Sequence, residues 1–342
     1  MDANSALNYS THAIEGLQAR IAGMRRSGAM PRSLRAHEEL VELLRIAVKF
    51  NLPDNGELVA LETLDEAFSE FIRLPFDAVA LEYALSTQNE VYKGEDAFKE
   101  AASSKRIAVC WANSFASRFP ALCPIPAEEK GFYVASVYYD DDDKLWVFSP
   151  LANFVPANPA ITRGAAAPTS RADTLEQEFL LKQKAIKSTN STYEAWTVQL
   201  CPEYVTLFAM TAGSRDTAMA RLSLDIRDET ASAFAFSLTV NSSNIGRERI
   251  APPEKLNKKR ISNGKPPFFE AWVLDVDRRA PSAESSREGY SLEGSRASPR
   301  LHLRRGHIRR LSPERITYVR GTAVGSLRSG QIEKTYRVGG AK

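Results

Sequence analysis

Four consecutive aspartates, Asp140, Asp141, Asp142 and Asp143, interrupt the run -GFYVASVYYDDDDKLWVFSP-. Four adjacent carboxylates cannot enter a sheet interior without a large desolvation cost, whereas aromatic and β-branched residues crowd both flanks. The segment therefore predicts two strands joined at an exposed acidic tip. Three roles stay open for that tip: a solvated turn, a docking site for the basic tail of the same chain, or a divalent metal site. The last needs oxygens converging from different backbone directions, which neighbouring residues of one turn rarely supply.

Around this hairpin the chain predicts an α+β protein with a helical N-terminal region, a mixed or antiparallel sheet core and a C-terminal β-meander. Residues 1–73 carry helical spacing, as in Ile14, Leu17 and Ile21, then Leu40, Leu44 and Val48, then Leu64, Phe68, Phe71 and Ile72. His37 falls on the polar side of the second of these helices and is expected at the surface. Residues 74–150 form a β-rich segment, in which -FDAVALEY- and -KRIAVCWA- read as buried strands. A Pro/Ala/Asn-rich stretch at 151–173 reads as a linker-like loop.

An α+β segment follows at 174–278. It holds a helix capped by Thr174, an element broken by Pro202, and a helix from Asp225 or Asp228 to about Val240. A basic, proline-bracketed loop, -PPEKLNKKRISNGKPP-, then leads into the strand -FFEAWVLDV-. Residues 279–299, rich in Ser, Glu, Gly and Arg, predict a flexible loop. The basic tail, 300–342, is expected to be β-rich and to join the core sheet.

The formal net charge of +3 conceals an asymmetry. From Arg278 onward fifteen Lys/Arg face five Asp/Glu, a surplus that attracts phosphate, an acidic partner or an acidic loop of the chain itself. Cys110, Cys123 and Cys201 have no metal-ligand spacing, and three isolated cysteines predict a reducing compartment. The first residues lack the pattern of a secretory leader, and no window is apolar enough for a membrane span. A soluble, cytoplasmic protein is expected, with no membrane partner. No GxxxxGK[ST], GxGxxG or GxSxG run occurs, and no cofactor or metal is expected.

The strongest functional signal lies in -RLHLRRGHIRRLSPERITYVRGTAVGSLRSGQIEKTYRV-. As a single strand it would place Leu301, Leu303, Arg305, His307, Arg309 and Leu311 on one face, and His302, Arg304, Ile308 and Arg310 on the other. Guanidinium groups fork onto phosphate oxygens, so Arg304, Arg305, His307, Arg309 and Arg310 are the candidate nucleic-acid-binding residues. Lys258, Lys259 and Arg260 join them if the fold supplies a common surface, with Tyr318 and Tyr336 available to stack on bases. His307 is also the candidate catalytic residue, an imidazole moving a proton beside arginines that stabilise charge.

The segments -LPFDAVALEY-, -SSKRIAVCW-, -LNKKRISNGKPPFFEAWVLDV- and -LHLRRGHIRRL- resemble those of a family of uncharacterised proteins of tailed phages and prophages. The resemblance runs from about Leu74 to Val338 and implies a setting, the phage-infected bacterial cytoplasm, without catalytic residues to carry over. The four-aspartate tip and the 279–299 stretch depart from it. Three functions follow as expectations. The first is a non-enzymatic phage accessory protein contacting nucleic acid, or a host protein that handles it, through the basic C-terminal segment. The others are a nuclease using His307, and a virion or assembly protein.

Overall fold

The computed structural model describes residues 6–61, 64–85, 102–164, 167–182, 186, 190–275, 300–304, 306–319, 322–324 and 326–331. The expected flexible loop at 279–299 and residue Arg305 lie outside them.

The chain opens with two helices, α1 (Tyr9–Ser27) and α2 (Pro31–Ile46), followed by strands β1 (Val48–Asn51), β2 (Ala78–Ala84), β3 (Ser103–Ala112), β4 (Gly131–Asp140) and β5 (Leu145–Pro156). A small ribbon, β6 (Ile161–Arg163) with β7 (Ser191–Tyr193), flanks helix α3 (Arg171–Lys182). Strand β8 (Trp196–Gln199), helices α4 (Pro202–Ala212) and α5 (Arg215–Val240), β9 (Gly246–Ile250), α6 (Glu254–Ser262) and β10 (Ala271–Asp275) follow. Eight strands build one mixed sheet in the order β8-β5-β4-β3-β2-β1-β10-β9. The β2 to β5 meander is antiparallel, while β1 runs parallel to both β2 and β10. The α+β class predicted from sequence is the class observed.

Helices cover both faces of the sheet, so its central strands are apolar on both sides. Strand β3 shows why: Ile107, Val109 and Trp111 pack under α1 and α2, and Ala108 and Cys110 pack under α5. Helix α5 runs 26 residues across the second face and buries Phe234 and Phe236 against Val79, Leu81 and Val134. The acidic residues expected to start this helix lie in its middle. It begins at Arg215, where the Ser214 hydroxyl accepts from the Thr217 N–H. Asp225 is instead the buried partner of Arg221, and Glu229, next to Asp228, is the buried partner of Arg106.

Three further expectations need correction. The linker-like stretch 151–173 is largely structured: β5 continues through Pro150 to Pro156, and β6 follows. Proline is accommodated where the β4–β5 register shifts between Ala135 and Val137, off the regular ladder. The proline-bracketed basic loop contains helix α6. His37 is not at the surface; it is 1% exposed between the rings of Phe148 and Tyr204.

Among the described residues the tail strands do not extend the eight-stranded sheet. Strand β11 (Arg300–Arg304) pairs with β14 (Thr322–Val324) and β15 (Ser326–Gln331), while β12 (His307–Ser312) and β13 (Arg315–Val319) form a separate hairpin. The single strand expected from Leu301 to Leu311 is therefore two strands in two sheets, the first ending at Arg304 and the second beginning at His307. A Cβ at Gly306 would sit 2.6 Å from the Tyr318 hydroxyl, so glycine lets that tyrosine close over the break. Ile308 and Ile316 of the hairpin reach the core beneath α5.

Candidate cationic interface

The tail arginines divide. Alternation within β12 turns Ile308 and Arg310 inward and leaves Arg309 exposed, with His307 half-buried. Arg310 is engaged by the chain itself. Its guanidinium donates to the Glu70 carboxylate at 2.9 Å, and to the backbone carbonyls of Ala67 at 2.5 Å, Pro313 at 2.8 Å and Ser312 at 3.1 Å. It also lies over the Phe71 ring. Those bonds lock the hairpin to the 3₁₀ turn Glu66–Phe71 and use the donors a phosphate would need. Arg304 lies in β11, and Arg305 outside the described residues, so the hairpin presents Arg309 and Arg315 to solvent.

The acidic tip is a turn in which Asp140 Oδ1 accepts the N–H groups of Asp142 and Asp143 at 2.9 and 3.0 Å. Asp141 accepts the Ser104 hydroxyl at 2.8 Å. Among the described residues no group of three or more His, Cys, Asp or Glu is placed to hold a metal ion. The partner of Arg310 is Glu70 and not this tip.

Two buried ionic networks hold the layers together. Arg106, on β3, donates to both oxygens of Glu229 on α5 at 3.0 and 3.3 Å, and Tyr83 donates to the same carboxylate at 3.1 Å. Burial raises the Glu229 carboxyl above its ordinary range, and Arg106 opposes that shift. On the opposite face, Glu82 accepts the N–H groups of Tyr9 and Ser10 at the start of α1, while Lys49 donates to carbonyls at the end of α2. Lys49 and Glu82 line a narrow cleft with Asn8, Thr11 and Phe269 that is too tight to admit a water molecule. The groove of about 370 Å³ among the described residues lies elsewhere, against Arg73, Phe76, Asp77, Phe132 and Asn158.

Cations without acidic partners gather instead at the β9 edge of the sheet. From Gly246 to Lys265 the chain carries Arg247, Arg249, Lys255, Lys258, Lys259, Arg260 and Lys265 against only Glu248 and Glu254. Arg249 pairs with Glu270. Arg260 pairs with Glu15 of α1 at 2.6 Å, donates to the Pro266 carbonyl and lies over the Phe268 ring. Lys255, Lys258, Lys259 and Lys265 are exposed and form no ion pair among the described residues.

Helix α6 presents the first three. Nine residues are too few for a stable isolated helix in water, and α6 buries none of its residues. It is fastened by one polar face: Asn257 donates to the Phe268 carbonyl at 2.9 Å and accepts the Phe268 N–H at 2.7 Å, and Arg260 completes the attachment. Lys255, Lys258 and Lys259 stand at i, i+3 and i+4, on a common side away from Asn257 and Arg260. Exposed lysines ordinarily keep a surface soluble and a sheet edge unpaired. The present set differs in being grouped on a helix that contributes nothing to the core.

Of the basic residues singled out from sequence, Lys258 and Lys259 belong to this surface and Arg260 is its anchor. The tail hairpin packs beneath α5, and α6 packs beside α1 on the other face, so the two basic clusters do not merge. Lys255 and Lys265 were overlooked; the signal was the bare excess of charge between Gly246 and Lys265. No helix among the described residues is long and apolar enough to cross a membrane. No family model, curated protein or solved structure matches the chain.

Proposed function

We propose that this chain is a non-enzymatic binding protein that contacts a polyanion through the lysine face of α6, with Arg309 and Arg315 of the tail hairpin as a second, weaker contact. The observation that carries it is the exposure of Lys255, Lys258 and Lys259, without acidic partners, on a helix that buries nothing. The setting implied by the phage resemblance, a bacterial cytoplasm, makes nucleic acid the polyanion of choice. Contact of this kind releases condensed counterions, so affinity falls with salt in proportion to the phosphates neutralised.

The test is fluorescence anisotropy with labelled DNA and RNA at about 50 and 200 mM salt. Three phosphate contacts imply a loss of about 40-fold between the two conditions. The Lys255→Glu/Lys258→Glu/Lys259→Glu variant is expected to weaken binding by more than tenfold at the lower salt, and Arg309→Glu to weaken it by less than tenfold. Absence of binding at the lower salt by the folded wild-type protein would remove the proposal.

A further inference from the structure

Resting on that reading, we infer that the polyanion is a duplex held by its phosphate backbone, without readout of base sequence and without capture of unstacked bases. Two features of the α6 surface lead there.

The first is which cations are available. Arginine reads guanine edges and grips single phosphates by a planar fork, whereas lysine acts as a compact point charge with little directional demand. The one guanidinium on α6, Arg260, is turned inward onto Glu15, the Pro266 carbonyl and the Phe268 ring. On α6 and just beyond it the outward set is entirely lysine, Lys255, Lys258, Lys259 and Lys265, while the exposed Arg247 of β9 lies over the Phe76 ring. Such a surface neutralises phosphates and distinguishes poorly between one base pair and another.

The second is the state of the neighbouring aromatics. Single-strand binders combine a cationic track with exposed rings on which bases stack. Phe268 and Phe269 are the aromatics next to α6, and both are half-buried and occupied. Phe268 packs edge-on to His12 and under Arg260, and Phe269 lies 3.8 Å beneath the Lys49 ammonium. The surface therefore has charge without a stacking platform, and the denser phosphate array of a duplex suits it better than a flexible single strand.

Anisotropy titrations with two duplexes of unrelated sequence, a single strand of equal length, and vesicles containing anionic lipid test this on the full chain. The expected result is equal affinity for the two duplexes within about threefold. The single strand should bind at least tenfold more weakly, and the logarithmic salt slope for duplex should lie near −3 to −4. The triple glutamate variant, with its fold verified by circular dichroism and thermal melting, should lose about three units of that slope. Preference for the single strand or for vesicles, tenfold discrimination between duplexes, or an unchanged slope in the variant would each overturn the inference. Of these, single-strand preference or duplex discrimination would leave polyanion binding standing if the variant still lost it. No binding to any probe would remove both.

Discussion

Lys49 and Glu82 lie on the adjacent parallel strands β1 and β2, two register positions apart, and bond to opposite ends of neighbouring helices. The Glu82 carboxylate accepts the Tyr9 and Ser10 N–H groups at 2.8 and 2.9 Å, where α1 begins. The Lys49 ammonium donates to the Leu44 and Ala47 carbonyls at 2.7 and 2.6 Å, where α2 ends. Each charge meets the end of a helix dipole that favours it and satisfies backbone groups the helix cannot satisfy itself. Glu82→Gln turns an amide N–H₂ toward one of those N–H donors, and is expected to cost about 2 kcal/mol. Urea denaturation of the two proteins checks it; an unchanged midpoint would show that the cap contributes nothing.

The Arg106–Glu229 pair predicts an asymmetry between single and double substitution. Glu229→Ala leaves a buried guanidinium without its carboxylate and should lower stability by about 3–5 kcal/mol. Replacing both residues together by Met and Leu removes the charges and their desolvation, so most of that loss should return. A double variant as unstable as the single one would mean that the network is required for the fold and not merely tolerated by it.

Arg310 makes a comparable prediction at the surface. Glu70 is half-exposed, so Glu70→Gln should cost less than about 1 kcal/mol. Arg310→Ala also removes the bonds to Ala67 and Pro313, and should cost about 1–3 kcal/mol while leaving nucleic-acid affinity within about twofold. A large loss of affinity with no change in melting would return this residue to the binding surface.

His37 predicts a pH dependence. Burial lowers its pKa from the usual 6.5 to about 4, opposed by its bond to the Ser33 carbonyl and reinforced by Arg20. The unfolded chain therefore binds the extra proton first as pH falls, so the stability contributed is full above pH 6.5 and is lost as pH drops toward 4. The loss approaches about 3 kcal/mol. His37→Gln should flatten the stability profile over that interval, as measured by urea titrations at several pH values. A parallel profile in the variant would contradict this assignment.

Much of the sheet was legible because its strands carry their own pattern. The runs around Ala80, Val109 and Val134 are apolar on both faces, and Asp140–Asp143 mark the turn between β4 and β5. Features made by distant chain were not. His37 looks exposed on α2 considered alone, and is covered only when Tyr204 of α4 and Phe148 of β5 arrive. Helix α6 buries nothing, so no amphipathic period announces it, and its prolines suggested a loop. The inward turn of Arg310 depends on Glu70, which no local spacing connects to it.

The register of β1 also bears on how the chain folds. Lys49 pairs with Ala271 through β10, so the strand that follows the first two helices waits for a partner near the far end of the sequence. The β2 to β5 meander closes through nearer neighbours, and contacts between close segments form sooner than those that must shut a long loop. During synthesis the meander can therefore assemble while one side of β1 stands open. The β10–β9 edge, with the helix between its two strands, is the part of the sheet that is synthesised last.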